Sequence, residues 1–295
     1  MDVSVIIVNY NTRQMTVDCI ESVKAKTEGI KYEIILVDNA STDGSKEYFE
    51  KREDITYIYS EENLGFGRAN NLGAEVAKGK YLFLLNSDTL LINNAIKILF
   101  DYMSTHPKAG VVGGNLYTLE KQPTISFERS FHGIYLSFNL LLKNIPNKLR
   151  FGRNRIFNYT KRPLDVAYIS GADLMIEKQL FNSLKGFSPE FFMYYEETDL
   201  CKRVRKDAQK GIVSVPQAKI IHLEGGSLKK NKISARKAKM ILESRFKFIA
   251  RYHNKLYQAI DLCIYKFYLV LLAMIHPDDL QLKESKHTTK SIRNK

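Results

Sequence analysis

The chain has 295 residues, of which 44% are hydrophobic and 26% charged. That composition excludes a disordered or low-complexity protein and suits one large folded domain, or a domain with an appendage. The net charge of +13 points to phosphate-bearing partners (nucleotides, anionic lipid headgroups or nucleic acid), while three scattered cysteines, Cys19, Cys201 and Cys263, exclude a disulfide scaffold and any Cys/His zinc spacing. Residues 1–5 enter a strand pattern directly, without the basic and apolar segments of a secretory signal, so a reduced, cytoplasmic protein is expected.

Residues 3–8 form a short run of β-branched apolar side chains, the pattern of a buried parallel strand, ended by Asn9-Tyr10-Asn11. Met15, Cys19, Ile20 and Val23 then recur at helical spacing over 12–25, with Thr12 as N-cap. A second buried strand, 32–37, ends in Asp38-Asn39-Ala40-Ser41-Thr42-Asp43-Gly44, followed by a helix over 45–51 and a third strand at 55–59. Asn63-Leu64-Gly65-Phe66-Gly67-Arg68-Ala69-Asn70-Asn71 opens another helix. Asn70 stands where a dinucleotide fingerprint requires glycine, and the piece follows the third strand rather than the first, so a Rossmann dinucleotide site is excluded. The two glycines permit a close turn, either structural or placing Arg68 against a phosphate. The next strand, 81–85, is wholly apolar and stops at Asn86-Ser87-Asp88. Strands alternating with helices predict an α/β fold with a mostly parallel central sheet. Three strand tips carrying Asn9, Asp38, and Asn86 with Asp88 would then share the edge where α/β sheets bind ligands.

A helix over 93–103 and a strand over 109–113 follow. Residues 116–163 change character: aromatics interleave with Lys143, Lys148, Arg150, Arg153, Arg155, Lys161 and Arg162, which reads as an excursion near an acceptor or membrane, or as a solvated basic loop. A strand over 166–176 returns, and Glu196, Glu197 and Asp199 sit at the start of a helix over 198–210, where the dipole favours acids. Short strands at 213–215 and 219–222 end in His222, with Gly225-Gly226 nearby. A basic helix over 235–252 and an apolar one over 256–275 close the chain. The uncharged run 267–275 is too short to span a bilayer, which leaves an interfacial helix or one packed on the sheet. Residues 280–295 read as a frayed basic tail.

Taken in order, Val5-Ile6-Ile7-Val8-Asn9-Tyr10-Asn11, Asp38 to Ser45, Asn63 to Asn71, Asn86-Ser87-Asp88, Phe192-Met193-Tyr194-Tyr195-Glu196-Glu197-Thr198-Asp199-Leu200 and His222 resemble the family 2 glycosyltransferases, and most closely their rhamnosyltransferase-like branch. The resemblance implies a GT-A fold with a C-terminal helical appendage. The catalytic domain would span residues 1–228, with a nucleotide-sugar half to about 115 and an acceptor half beyond it, and the basic helical extension would be 229–295. It implies a nucleotide site built from Val8, Asn9, Tyr10, Asn11, Asp38, Asn39, Gly65, Arg68, Asn86 and Ser87. Asp88 and His222 would hold a divalent cation, Mg²⁺ or Mn²⁺. Glu197 would be the catalytic base, with Glu196 and Asp199 supporting it or holding the acceptor. Two departures stand out: the usual DxD metal motif reads Asn86-Ser87-Asp88, losing one carboxylate, and the base is glutamate rather than the commoner aspartate.

The expected reaction is transfer of a sugar from a UDP- or dTDP-sugar to an acceptor hydroxyl with inversion, in cell-surface polysaccharide or glycolipid assembly. A saccharide or lipid-linked acceptor, an anionic membrane surface and a peripheral position on the inner face of the cell membrane are expected with it, and nucleic acid is not. Narrower or competing readings are a rhamnosyltransferase for a lipid-linked acceptor, a glycosidase, for which the nucleotide-binding strand tips would lack a purpose, and a non-catalytic basic module binding membrane or nucleic acid.

Overall fold

A computed structural model describes residues 1–131, 133–223 and 235–275. The strand predicted at the N-terminus is β1 (Val3–Asn9). It is followed by α1 (Arg13–Lys26), β2 (Tyr32–Asn39), α2 (Ser45–Phe49), β3 (Thr56–Ser60), α3 (Phe66–Val76) and β4 (Tyr81–Asn86). Strand β1 alternates as a two-sided strand should: Val5 and Ile7 enter the core shared with Cys19, Ile20 and Val23 of α1, while Ile6 faces the core shared with Ala74 of α3. Helices therefore cover both faces of the sheet.

Beyond β4 come β5 (Thr89–Leu91), α4 (Ala95–Thr105), β6 (Ala109–Tyr117) and β7 (Phe127–Glu128). The basic excursion is not a loop: it folds into α5 (Ile134–Leu141), α6 (Ile145–Phe151) and a short 3₁₀ turn. After the short β8 (Leu164–Asp165), the strand expected over 166–176 is broken into β9 (Tyr168–Ile169) and β10 (Asp173–Glu177), because the Ser170-Gly171-Ala172 turn interrupts it. Then follow α7 (Lys178–Ser183), α8 (Glu196–Lys206), β11 (Gly211–His222), α9 (Ala235–Tyr252) and α10 (Lys255–Ile275). Helix α8 starts two residues before the expected 198 and stops short of 210. The two short strands expected near 213 and 219 are one strand, with a register shift between Ser214 and Lys219 where Pro216 cannot donate to the ladder.

The nine-stranded sheet has the order β3-β2-β1-β4-β10-β6-β11-β5, with β8 added beside β11. Its first four strands are parallel, and β10 inserts antiparallel between β4 and β6, so the whole sheet is mixed. The register places Asn9 beside Asp38 and Val8 beside Asn86, so the polar strand tips lie side by side. Gly225-Gly226 and the tail expected over 280–295 lie outside the described residues.

Candidate active site

The first wall is made by the tips of β1 and β2, and amide chemistry stitches it together. Asn9 is buried; its Oδ1 accepts from Thr12 N at 3.2 Å, Thr12 Oγ1 at 2.8 Å and Thr16 Oγ1 at 3.0 Å, and its Nδ2 donates to Ser41 Oγ at 3.1 Å. Thr12 occupies the N-cap position of α1 but makes no side-chain cap bond, since its hydroxyl points to Asn9. Asn11 takes a left-handed φ of 55°, and its Oδ1 accepts the Thr42 N–H at 2.7 Å. Asp38 has no exposed surface: Oδ1 accepts from Ser41 N and Oδ2 from Tyr57 Oη, each at 3.0 Å. Asn39 is equally enclosed, bonding Leu64 N at 2.8 Å and Asn63 Oδ1 at 3.0 Å. Asp38 and Asn39 are thus enclosed in this structure, and their polar atoms hold the loops at the strand tips. Val8 is half-buried and Tyr10 is exposed at its rim.

The second wall is the tip of β4. Ser87 Oγ lies 3.1 Å from Thr12 Oγ1, tying this tip to the first wall. His222 pairs with Thr89 in register at the end of β11, and Leu223 N donates to Asp88 O at 2.9 Å. These bonds bring His222 Nε2 to 3.3 Å from Asp88 Oδ1 and 3.4 Å from Asn86 Nδ2. One carboxylate, one imidazole and one amide thus converge from residues 86 to 222. That donor set fits a divalent cation whose remaining positions are filled by phosphate oxygens. Among the described residues no group of three or more His, Cys, Asp and Glu side chains converges, so a cage made by protein alone is not formed here.

The third wall comes from far along the chain. Asn86 N donates to Ala172 O at 3.0 Å, and a Cβ added to the adjacent Gly171 would lie 3.5 Å from the Phe66 ring and 3.9 Å from Glu197 Cβ. Phe66 N in turn donates to Phe192 O at 3.0 Å, and Gly65, at φ 79°, approaches that carbonyl so closely that any Cβ would collide with it. Asn71 closes the arrangement with paired bonds to Phe187 N and O, both 2.9 Å. Arg68 donates from Nε to Leu64 O at 2.7 Å, so its guanidinium leans back on the same loop.

Directly before the acid pair, Tyr194 and Tyr195 have φ values of 69° and 73°. Two successive non-glycine residues in the left-handed region cost about 1–2 kcal/mol each and persist only when their surroundings dictate them. Here α9 dictates them. Tyr195 packs on Phe248, and Ser244 Oγ donates to Met193 O at 2.8 Å.

Glu196 is buried, and its Oε2 has no hydrogen-bond partner among the described residues. Burial first, and then the charge of Glu197, raise its pKa well above the usual carboxylate value. Glu197 is half-buried and also raised by desolvation, although backbone N–H groups and Thr198 Oγ1, 3.3 Å from its Oε1, oppose the shift. Asp199 has no exposed surface, and its carboxylate is turned toward α9. Its Oδ2 accepts from Arg203 Nε at 2.8 Å, its Oδ1 accepts from Tyr252 Oη at 2.7 Å, and Arg251 Nε lies 3.3 Å away. It is a buried anchor tying α8 to α9.

Sequence reasoning missed Tyr57 and Tyr252, and it quoted Ser41, Asn63 and Asn71 within motifs without giving them a role. It also missed Asp173 as a buried acid. Its Oδ2 accepts from Gly114 N at 2.6 Å, and burial pushes its pKa well up.

A mixed, helix-covered sheet with its polar tips gathered at one edge, and a carboxylate pair brought up to that edge, defines a GT-A glycosyltransferase fold. The chain matches the family described as Glycosyl transferase family 2 over residues 4–168, more than half its length, and it belongs to that family. Among curated relatives it is 33% identical over 123 residues to glycosyltransferase GlyG of Streptococcus pneumoniae, covering 40% of each chain. It is 26% identical to the low-salt glycan biosynthesis hexosyltransferase Agl10 of Haloferax volcanii, covering 70% of this chain and 62% of that one. It is also 26% identical to the N-acetylglucosaminyl-diphospho-decaprenol L-rhamnosyltransferase of Mycobacterium tuberculosis, covering 64% and 66%. The chain therefore spans 40–66% of the length of these relatives. Among solved structures, GalNAc-T7 with UDP, GalNAc and Mn²⁺ superposes with a TM-score of 0.61 at 18% identity over 85% of this chain and 51% of that one. The mannosyltransferase PcManGT from Pyrobaculum calidifontis, with GDP-Man and Mn²⁺, gives 0.59 at 15% identity over 99% and 80%. At that identity the likeness speaks for the fold.

Proposed function

We propose that this protein transfers a sugar from a nucleotide-diphospho-sugar to an acceptor hydroxyl in a single displacement that inverts the anomeric centre, in glycan or polysaccharide assembly. The observation that carries this reading is the approach of Glu197 to the Gly171-Ala172 turn, which is itself bonded to the strand tip bearing Asn86-Ser87-Asp88. A base and a phosphate-binding edge are thereby joined across more than a hundred residues.

The nucleotide lies against the tips of β1 and β2, lined by Val8, Tyr10 and Asn11. Asn9, Asp38 and Asn39 act from behind by fixing those loops. Asp88 and His222, with Asn86 beside them, would hold a divalent cation, which would supply positive charge to the departing diphosphate. Gly65 lets the acid-bearing segment approach α3. Glu197 takes the proton from the acceptor hydroxyl. Glu196, kept neutral by burial, lies beside it without competing for that proton. A uridine or thymidine diphosphate donor, Mg²⁺ or Mn²⁺, and a cytoplasmic setting are the finer parts of the proposal. The mycobacterial relative is named for a lipid-linked acceptor, which favours such an acceptor here and a protein working beside a membrane.

A panel of nucleotide sugars tests the reading, with release of nucleoside diphosphate as the readout. One or a few donors should be turned over, chelation should stop the reaction, and Asp88→Asn should lower the rate by about two orders of magnitude or more. Absence of turnover with every donor, with either metal and with saccharide acceptors present, would overturn it.

A further inference from the structure

The C-terminal helix α10 is oriented opposite to a helix packed by its apolar face. Its inward side carries Asp261, Tyr257 and Leu269. Asp261 is fully buried, receiving Arg245 Nη2 at 2.8 and 2.9 Å and Ser137 Oγ at 2.6 Å, and Tyr257 Oη receives Ile134 N at 2.9 Å. Its outward side carries Leu256, Ile260, Cys263, Phe267, Val270 and Met274, at alternating spacings of four and three residues, all exposed. Met274 keeps 76% of its surface open and Phe267 55%. The helical hairpin that α10 packs on does the same. Phe138, Leu142, Ile145 and Leu149, again spaced four and three apart on α5 and α6, point outward, Leu149 with 83% exposure. Two apolar stripes therefore belong to one packed unit, held together by a buried Arg–Asp–Ser contact.

The charges on the same unit are of one sign. Residues 129–164 contain no acid, and Lys143, Lys148, Arg150 and Arg153 are exposed around the stripe, with Lys255 at the start of α10. The acid of α10, Asp261, is turned inward. Apolar surface inside a purely cationic rim is complementary to an anionic bilayer interface, into which apolar side chains sink while lysine and arginine remain at the headgroups. A second copy fits less well, because a two-fold contact would set the same cations against each other. Among the described residues no helix is long and apolar enough to cross a membrane, which suits a unit lying on the surface.

We infer that the α5–α6 hairpin and the outer face of α10 form one docking surface for an anionic lipid membrane. The inference rests on the transferase reading for its purpose, which is to hold the cleft beside a lipid-linked acceptor. Binding itself needs no donor, so vesicle binding and turnover can fail separately.

The test is co-flotation of the full chain with vesicles of phosphatidylglycerol and phosphatidylcholine, against vesicles of phosphatidylcholine alone. The expected result is flotation with the anionic vesicles that falls as salt rises. The double variant Leu149→Glu/Phe267→Glu, both exposed positions, should lose about tenfold or more of the bound fraction with an unchanged circular dichroism spectrum and unchanged donor hydrolysis in solution. Val76→Glu, exposed on α3 away from this unit, should float as the parent does. A parent chain that ignores anionic vesicles overturns the inference. So does a parent that is a dimer by light scattering and becomes monomeric in the double variant while neither binds vesicles.

Discussion

The strand-tip wall and the acid-pair wall of the cleft are built on opposite plans. At the tips of β1 and β2 the polar side chains satisfy one another: Asn9 bonds Thr12, Thr16 and Ser41, and Asp38 bonds Ser41 and Tyr57. All of these partners lie within the first three strands and the segments that join them. The acid pair, by contrast, follows two tyrosines in left-handed backbone and holds a buried Glu196 oxygen without a hydrogen-bond partner among the described residues. It stays in place because α3 grips it from one side and α9 from the other. The wall proposed to receive the nucleotide is thus prefabricated, whereas the wall proposed for proton chemistry is strained and braced from outside. Strain and poorly solvated acids are concentrated where pKa values must be shifted for function.

The comparison is broken most severely at Glu197. In Glu197→Gln the amide keeps the shape but cannot take a proton, so transfer should fall by about two to four orders of magnitude. Donor binding, made at the other wall, should survive within about threefold, read by titration calorimetry with the nucleotide diphosphate. Equal loss of binding and turnover would mean that the two walls are not separate devices.

The first wall was legible in the sequence because its signal is local. A buried apolar run followed by Asn, Asp or Asn-Ser-Asp can be read without knowing the partners, and the register of Asn9 beside Asp38 then follows from parallel pairing. What those side chains do was not legible. The bonds that Asp38 and Asn39 make to Ser41, Tyr57 and Leu64 have no signature in the residue pattern around them. Asp199 looked like a first-turn acid near the acceptor, but its partners Arg251 and Tyr252 lie about fifty residues away, a distance no spacing rule covers. The antiparallel insertion of β10 was hidden for a related reason. A short apolar run does not reveal its direction, and the Ser170-Gly171-Ala172 turn that separates β9 from β10 reads as part of the strand. The amphipathic nature of α10 was visible, but which face turns inward depends on Arg245 of α9 meeting Asp261.

The external brace can be loosened without touching the cleft. Tyr252→Phe removes the hydroxyl that donates to Asp199 Oδ1 and leaves the Arg203 contact in place. Losing one donor to a buried carboxylate costs about 1–3 kcal/mol, and part of that loosens the turn carrying the acid pair. The expectation is a lower kcat, by about tenfold, with KM for the donor unchanged and a modest fall in Tm. A merely structural bond would lower Tm while leaving kcat untouched at temperatures well below the transition.

The smallest effect is expected at Glu196, and it assigns the two acids. Both carboxyls are raised by burial, Glu196 the more strongly because the charge of Glu197 adds to it. With the half-buried Glu197 as the base, the rate should climb, as pH rises, through a value above the usual carboxylate range. A protonated carboxyl and a carboxamide are both neutral and nearly the same shape. Glu196→Gln should thus keep transfer within about threefold of the parent and leave the acidic limb of the kcat/KM profile in place. If Glu196 carried the proton chemistry, the same substitution would cost as much as Glu197→Gln, and the limb would vanish in the variant that now keeps it. The pH profile of these two variants, measured side by side, decides which acid of the braced wall reacts.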